Sequence, residues 1–490
     1  MLTPCRLFAL SRREFAALVA IFALSLPAVT ARIYSSDEVE YFSYLRSLWF
    51  DHDLSFENEY QYFFDRGVAR AEGFHETFLE NQTEAGRRPN FGTIGCALLW
   101  SPFYAVGDLT ARTVRNAGYD VTVDGYSRPY LAAVAYGSAV YGFLAVLLSV
   151  GAARRVRLDV PVAAASKAAF HSGAAEEDVG RASGASLRGA LLIWIGTPLL
   201  FYMYVAPPMS HACSAFAVAV FVTVWLHARR TWTAGQVILV GISGALMAMV
   251  REQDLFFLLG PALDFAIAQV PRERWRAIGK GALGAAASAI CFLPQLVAYM
   301  RLNGHPTPSR LVTRKMTWTA PHALEVLFSP AHGFFIWTPL AVFAIAGLVV
   351  LAIRHQQDRR RLAVLMLVMV ALQIYVGGSV ESWSVAGAFG QRRFVALTVL
   401  LTIGLAALWE ASHSVAQRSA LIGIVVLCVW WNLALIALFG TGLMNRQRIE
   451  LGRNAYDAFV TVPRMAPELA YRYFVNRESY YRAHPAARVP

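Results

Sequence analysis

Charge is what this chain has least of. Only 16% of its 490 residues are charged, while 57% are hydrophobic. A soluble protein of that length could not bury so much apolar surface. Cysteine is scarce as well. Cys5, Cys96, Cys213, Cys291 and Cys428 include no close pair and no CxxC, so they read as buried small hydrophobes rather than a disulfide or zinc framework. HExxH, P-loop, GxSxG and paired-histidine metal motifs are all missing, and no metal or other cofactor is expected. No internal repeat is evident, which weakens a transporter built from symmetric halves.

What the chain does have is apolar runs long enough to cross a hydrocarbon core of about 30 Å. They fall near 14–31, 129–151, 189–206, 211–227, 235–250, 254–270, 278–300, 333–353, 361–378, 394–410 and 418–440. Backbone groups in lipid must pair within their own segment, so these eleven spans are predicted to be helices. The basic clusters at Arg12/Arg13, Arg154/Arg155/Arg157, Arg229/Arg230, Arg272/Arg274/Arg276, Arg359/Arg360/Arg361 and Arg418 then all fall on one side. The positive-inside rule makes that side cytoplasmic. It also accounts for the net charge of +12 without nucleic acid as a partner.

The expected organisation is a transmembrane module over 1–440 and a short outer tail over 441–490. The loop 32–128 is the longest outer segment. Within it, Phe91 to about Val106 is apolar, but counting it as a span would invert every later loop. It is therefore predicted as a helix in or dipping into the outer interface. The segment 153–188, rich in Ala, Gly and Ser with mixed charges, is expected to be a disordered cytoplasmic loop. The first span reads as a retained signal anchor rather than a cleaved peptide.

Polar chemistry thus gathers on the outer side. Tyr34-Ser35-Ser36-Asp37-Glu38-Val39-Glu40-Tyr41 directly follows the first span. Ser35-x-x-Glu38 is a capping box, and Val39, Phe42, Leu45, Leu48 and Trp49 give an apolar face with helical spacing. Capping explains Glu38; it does not explain the crowding of Asp37, Glu38 and Glu40 at the lipid boundary. Arg87 and Arg88, at the membrane surface, suit a lipid phosphate or a headgroup anchor. Arg251 adjoins Glu252 and Asp254, so a local ion pair competes with a phosphate role. The segments Phe328–Pro339, containing His332 and Trp337, and Glu381–Arg393, containing Trp383, Arg392 and Arg393, mix glycine, aromatic and polar residues. They read either as sugar-stacking loops or as an aromatic belt with flexible turns, and His332 alone as a solvated loop histidine.

In order along the chain, four features resemble the GT-C superfamily. Within it they resemble the bacterial relatives of protein O-mannosyltransferases (glycosyltransferase family 39) and the aminoarabinose lipid A transferases. These features are Asp37-Glu38 after the first span, Arg88-Pro89 through Leu98-Leu99-Trp100-Ser101-Pro102-Phe103, Leu327-Phe328-Ser329-Pro330-Ala331-His332-Gly333, and Gly387-Ala388-Phe389-Gly390-Gln391-Arg392-Arg393-Phe394. The family often has Lys at the place of Arg88 and a second proline at that of Asn90. The resemblance implies an all-α, GT-C-like polytopic membrane protein of about eleven spans, with interfacial helices in its first outer loop. It implies an inverting transfer of sugar from a polyprenyl-phosphate donor to a hydroxyl of a lipid, glycan or protein acceptor. Asp37 would be the base, with Glu38 beside it. Arg87, Arg88, Arg251, Arg392 and Arg393 would hold the phosphate, and Tyr41, His332, Trp337 and Trp383 would line the substrate. The expected location is a bacterial inner membrane, among its lipids, with the active site on the periplasmic face. The competing class, a lipid-linked sugar flippase, would predict ionisable residues deep within several spans; here they sit at the boundary.

Overall fold

The computed structural model describes residues 8, 10–68, 73–158, 174–354, 357–385 and 387–481, with side chains omitted at 157–158 and 174–183. Among them there is no strand; a lone bridge joins Met316 to Val380. The main helices are α1 (Arg12–Ser25), α2 (Ser36–Arg46), α3 (Glu57–Asp65), α4 (Gly95–Asn116), α5 (Arg128–Leu158), α6 (Ala174–Gly196) and α7 (His211–Ala228). They continue as α8 (Ala234–Val250), α9 (Leu259–Asn303), α10 (Leu340–Arg354), α11 (Gln357–Gly378), α12 (Thr398–Ala411), α13 (Val415–Thr441) and α14 (Val462–Phe474).

Each of the eleven expected spans overlaps one of these helices. Length and apolarity alone admit six as crossing helices, with three shorter apolar ones beside them. α1, at 14 residues, is only about 21 Å long and ends at Ser25, just before the turn that carries Pro27. α9 holds two of the expected spans. It breaks at Glu273 (φ −143°, ψ 60°), and the chain doubles back there. Lys280 Nζ donates to Gln269 Oε1 at 3.4 Å, though residues eleven apart on a straight helix lie about 16 Å apart.

α7 and α12 are apolar all round and buried, while α9 turns most of its apolar surface outward. Such exposure suits a helix facing lipid. At the core, α10 and α12 touch backbone to backbone. A Cβ on Gly404 would collide with the Ala344 carbonyl, and one on Gly347 with that of Gly404. Small residues allow this close approach where lipid gives no hydrophobic drive.

α5 has 31 residues, about 46 Å, more than the hydrocarbon core needs. α4 packs antiparallel on its first turns. Trp100 Nε1 donates to Ser138 Oγ at 2.8 Å, Tyr141 Oη donates to the Leu99 carbonyl at 2.6 Å, and a Cβ on Gly107 would be 2.9 Å from the Pro129 carbonyl. The apolar segment expected at the interface is thus a helix docked beside a span. Its buried face carries Cys96, Trp100, Tyr104 and Ala111, and Leu98, Val106 and Leu109 are exposed.

One expectation is corrected. The stretch 153–188 is not disordered at its two ends: 153–158 completes α5 and 174–188 opens α6; 159–173 lies outside the described residues. Alanine favours helix, and a half-buried Arg154–Glu14 ion pair of 2.6 Å anchors the end of α5. Cys5 also lies outside the described residues; the other four cysteines are free, three of them buried.

The Gly404 contact generates a test. Gly404→Val should destabilise the detergent-purified protein by about 1–3 kcal/mol through overpacking, read as a lowered unfolding temperature. Gly423→Ala, with open space around it, should leave that temperature unchanged.

Candidate active site

α2 starts where its cap dictates. Glu38 Oε2 accepts the backbone N–H groups of Tyr34 at 2.6 Å and Ser35 at 3.0 Å, and its side chain is buried. Glu40 is buried too, and its Oε2 accepts the Phe91 N–H at 2.8 Å. Asn90 Nδ2 donates to the Glu40 carbonyl at 3.0 Å. Of the three crowded carboxylates, two are therefore committed to backbone. Asp37, with its side chain 34% exposed, projects from the first turn and pairs through Oδ2 with Arg392.

Around that pair stand residues from four further segments. Arg251 Nη1 lies 3.2 Å from His211 Nδ1, and its Nη2 donates to Gln253 Oε1 at 3.2 Å. No ion pair joins Arg251 to its sequence neighbours: Asp254 accepts Ser214 Oγ at 2.6 Å, and Glu252 accepts Tyr299 Oη. Arg393 donates to the Ser382 carbonyl at 2.9 Å and to Ser382 Oγ at 3.3 Å. Its own carbonyl accepts Gln253 Nε2 at 2.9 Å. The charges of Arg251, Arg392 and Arg393 all act on the His211 ring. Those of Asp37, Arg251 and Arg392 act on the Tyr202 hydroxyl, and those of Asp37 and Arg251 on Tyr41. Three guanidinium groups and one carboxylate thus share one end of the bundle.

The structure brings together Asp37, Tyr41, Arg251, Arg392 and Arg393. It does not bring Arg87 or Arg88 into contact with them. Arg88 is tied to Glu57 at 2.8 Å and to the Glu80 carbonyl at 3.1 Å, and Arg87 is exposed. His332 is not a solvated loop residue but fully buried. Its ring stacks on Trp337 with centroids 4.8 Å apart, and Nε2 lies 2.8 Å from the Ala388 carbonyl. Burial pushes its pKa down to about 4, so the ring is neutral and bonds as a donor. Trp337 is equally buried. Neither ring has an open face to line a substrate; both fasten the 328–339 loop to the 381–393 loop. Gln391 adds to this by donating to the His332 carbonyl at 3.3 Å, and Trp383, half-buried, stacks on His322. Ala386 lies outside the described residues. Sequence reasoning missed Tyr202, His211 and Gln253. The Pro207-Pro208 turn just before His211 was the available signal.

No family model matches the chain, and no curated protein does. Among solved structures, it is similar to the crystal structure of ArnT from Cupriavidus metallidurans bound to undecaprenyl phosphate. The TM-score is 0.50 over 95% of this chain and 77% of that one, at 12% identity. Likeness at that identity is likeness of fold; among the described residues, six helices are long and apolar enough to cross a membrane.

The buried carboxyls set a pH dependence. Burial pushes Glu38 up from 4.5 to about 7; burial and then the charge of Asp37 also raise Glu40. A pKa higher folded than unfolded means that the folded state holds the extra proton. The stability it contributes is present at low pH and is lost as pH rises from about 4.5 through about 7, on the order of 3 kcal/mol for such a carboxyl. The unfolding temperature should therefore fall between pH 5 and pH 8. Glu40→Gln should flatten the slope; an unchanged slope in that variant would contradict the assignment.

Proposed function

We propose that this protein is a glycosyltransferase that moves a sugar from a polyprenyl-phosphate donor to an acceptor hydroxyl, at the periplasmic face of a bacterial inner membrane. One observation carries the reading: Asp37 stands in ion-pair contact with Arg392, beside Arg251 and Arg393, which have no carboxylate partner among the described residues. The fold supports it, and so does the undecaprenyl phosphate bound to the similar structure.

On this reading Arg392 fixes Asp37 through Oδ2 and leaves Oδ1 for the acceptor. The carboxylate takes the hydroxyl proton as the oxygen attacks the anomeric carbon from the face opposite the phosphate. The bond from that carbon to the phosphate oxygen breaks, the anomeric centre inverts, and the polyprenyl phosphate leaves with the electron pair. An alcohol is a poor nucleophile, and a positioned base contributes about 10²–10⁴-fold. Arg251 and Arg393 offer fixed donors to the charge growing on the leaving phosphate. Glu38 serves the helix cap rather than the proton transfer, and Arg88 the loop rather than the donor. The acceptor class, whether lipid, glycan or protein, is left open by these residues.

Asp37→Asn should lower transfer by about 10²–10⁴-fold at equal protein level and unchanged donor binding; near-normal transfer would remove Asp37 as the base. Arg251→Ala and Arg393→Ala should each weaken binding of a synthetic polyprenyl-phosphate sugar roughly tenfold or more, the worth of one charge-assisted bond. Arg88→Ala should leave that affinity within about twofold, because its guanidinium is engaged elsewhere. Wild-type affinity in both the Arg251 and Arg393 variants would place the phosphate at another site.

A further inference from the structure

After Gly442 the chain turns back along α13. Two short helical pieces, Leu451–Tyr456 and Asp457–Thr461, run into α14. One bond fixes their depth. Trp430 Nε1 donates to the Ala458 carbonyl at 3.0 Å, and Trp430 is in mid-span. It stands about 18 Å from Arg418, near the basic end of α13, and about 16 Å short of Thr441. The bond also answers a local need. The Val462 N–H reaches back five residues to the Asp457 carbonyl, so the Ala458 carbonyl would look to residue 463. That residue is proline, which has no N–H, and the indole supplies the missing donor. An unpaired carbonyl is what hydrocarbon forbids. The far end of the segment climbs again. Tyr473 Oη donates to the Ala28 carbonyl at 2.7 Å, just past α1, and Tyr480 packs on Gly440, where a Cβ would be 2.6 Å from its ring.

Along this dip the side chains sort into three faces. Ala458, Val462 and Leu469 are buried against the bundle. Arg464, Glu468 and Arg472 form a charged stripe on α14, in which Arg472 pairs with Glu468. The third face is apolar and open: Tyr456, Phe459 and Phe474 are 60%, 48% and 61% exposed. Open apolar surface beside a charged stripe marks a contact with membrane or protein. Here it continues a surface that already faces lipid. Val426 and Leu427, one turn before Trp430 on α13, are 59% and 56% exposed.

We infer that the segment 451–475 is an interfacial anchor, set into the lipid leaflet at the Asp37 end of the bundle. Tyr456, Phe459 and Phe474 lie among the acyl chains, and the charged stripe of α14 turns to the headgroups. Helices with one charged and one apolar face settle about 5–10 Å into that boundary. The depth set by Trp430 and Ala28 places the open face within the leaflet, where acyl chains are its neighbours. Apolar burial holds the segment there, so a zwitterionic lipid suffices. The inference does not rest on the proposed reaction.

The test places the full chain in phosphatidylcholine liposomes that carry nitroxide-labelled lipid. A fluorophore is attached to the introduced cysteine of Phe459→Cys, Phe474→Cys or Glu468→Cys. The unmutated chain, taken through the same labelling, gives the background from the native cysteines. Labels at 459 and 474 should be quenched by the lipid nitroxides, at a depth of about 5–10 Å, and shielded from aqueous iodide. The label at 468 should show the reverse order. Equal iodide quenching at all three positions would overturn the anchor. So would shielding from both quenchers at 459 and 474, which would assign the face to a second copy or another protein. Should the variants fail to fold, the unmutated chain is cross-linked with a diazirine-bearing phosphatidylcholine and digested. Lipid adducts should fall on the peptides covering 456–474; their absence there, with adducts present on α9, would overturn the inference.

Discussion

Backbone hydrogen bonding in hydrocarbon constrains everything else in this molecule. With no water to satisfy them, N–H and C=O groups in the spans must pair within helices, and a charged group costs least at a helix end. Chemistry is thereby driven out of the middle of the bundle to its two faces. One face collects Asp37, Arg251, Arg392 and Arg393; the other collects Arg229, Arg361, Asp264 and Asp358. Both clusters join residues more than a hundred positions apart, because a helix bundle brings span ends together whatever their order in the chain.

Asp37 needs more than a place; it needs a direction. Upstream, the C-terminal segment holds the chain. Tyr473 Oη donates to the Ala28 carbonyl at 2.7 Å, and Arg477 donates to the carbonyls of Val29 and Pro27 at 2.7 and 2.6 Å. Downstream, the Glu38 cap and the Glu40 bond to Phe91 fix the first turn of α2. Across the site, the buried His332 ring and Gln391 tie together the 328–339 loop and the 381–393 loop, which presents Arg392. A short helix that begins with three carboxylates is thus sorted by its surroundings into two that build and one that faces outward.

Much of this was legible in the sequence because periodicity and charge report local facts. A helix at each expected apolar run, the capping box at Ser35, the doubling back near Arg272 and the gathering of Arg251, Arg392 and Arg393 on one side follow from residue pattern and loop parity. What could not be read is which polar groups meet. Arg88 and Arg393 look alike as outer-loop arginines, yet Glu57 captures one and no carboxylate captures the other. His332 sits in an outer loop that suggests solvent, and packing against Trp337 buries it. The helical ends of 153–188 were hidden because alanine and small polar residues suit both loops and helices until a tertiary partner such as Glu14 decides.

The charge count at the site favours the departing phosphate over the bound donor. Arg392 is matched by Asp37, and Arg251 and Arg393 rest on neutral partners, His211, Gln253 and Ser382. Two uncompensated cations therefore face the position proposed for the phosphate. A sugar phosphodiester brings one negative charge there, and a second develops only as the bond to the anomeric carbon breaks. Cations fixed in place before the reaction gain most from the species with the larger charge, so their attraction grows along the reaction coordinate. That differential, rather than tight holding of the donor, is what lowers a barrier. Asp37 stands beside those cations with its orientation fixed by Arg392, and only one of its oxygens is spent on that pair.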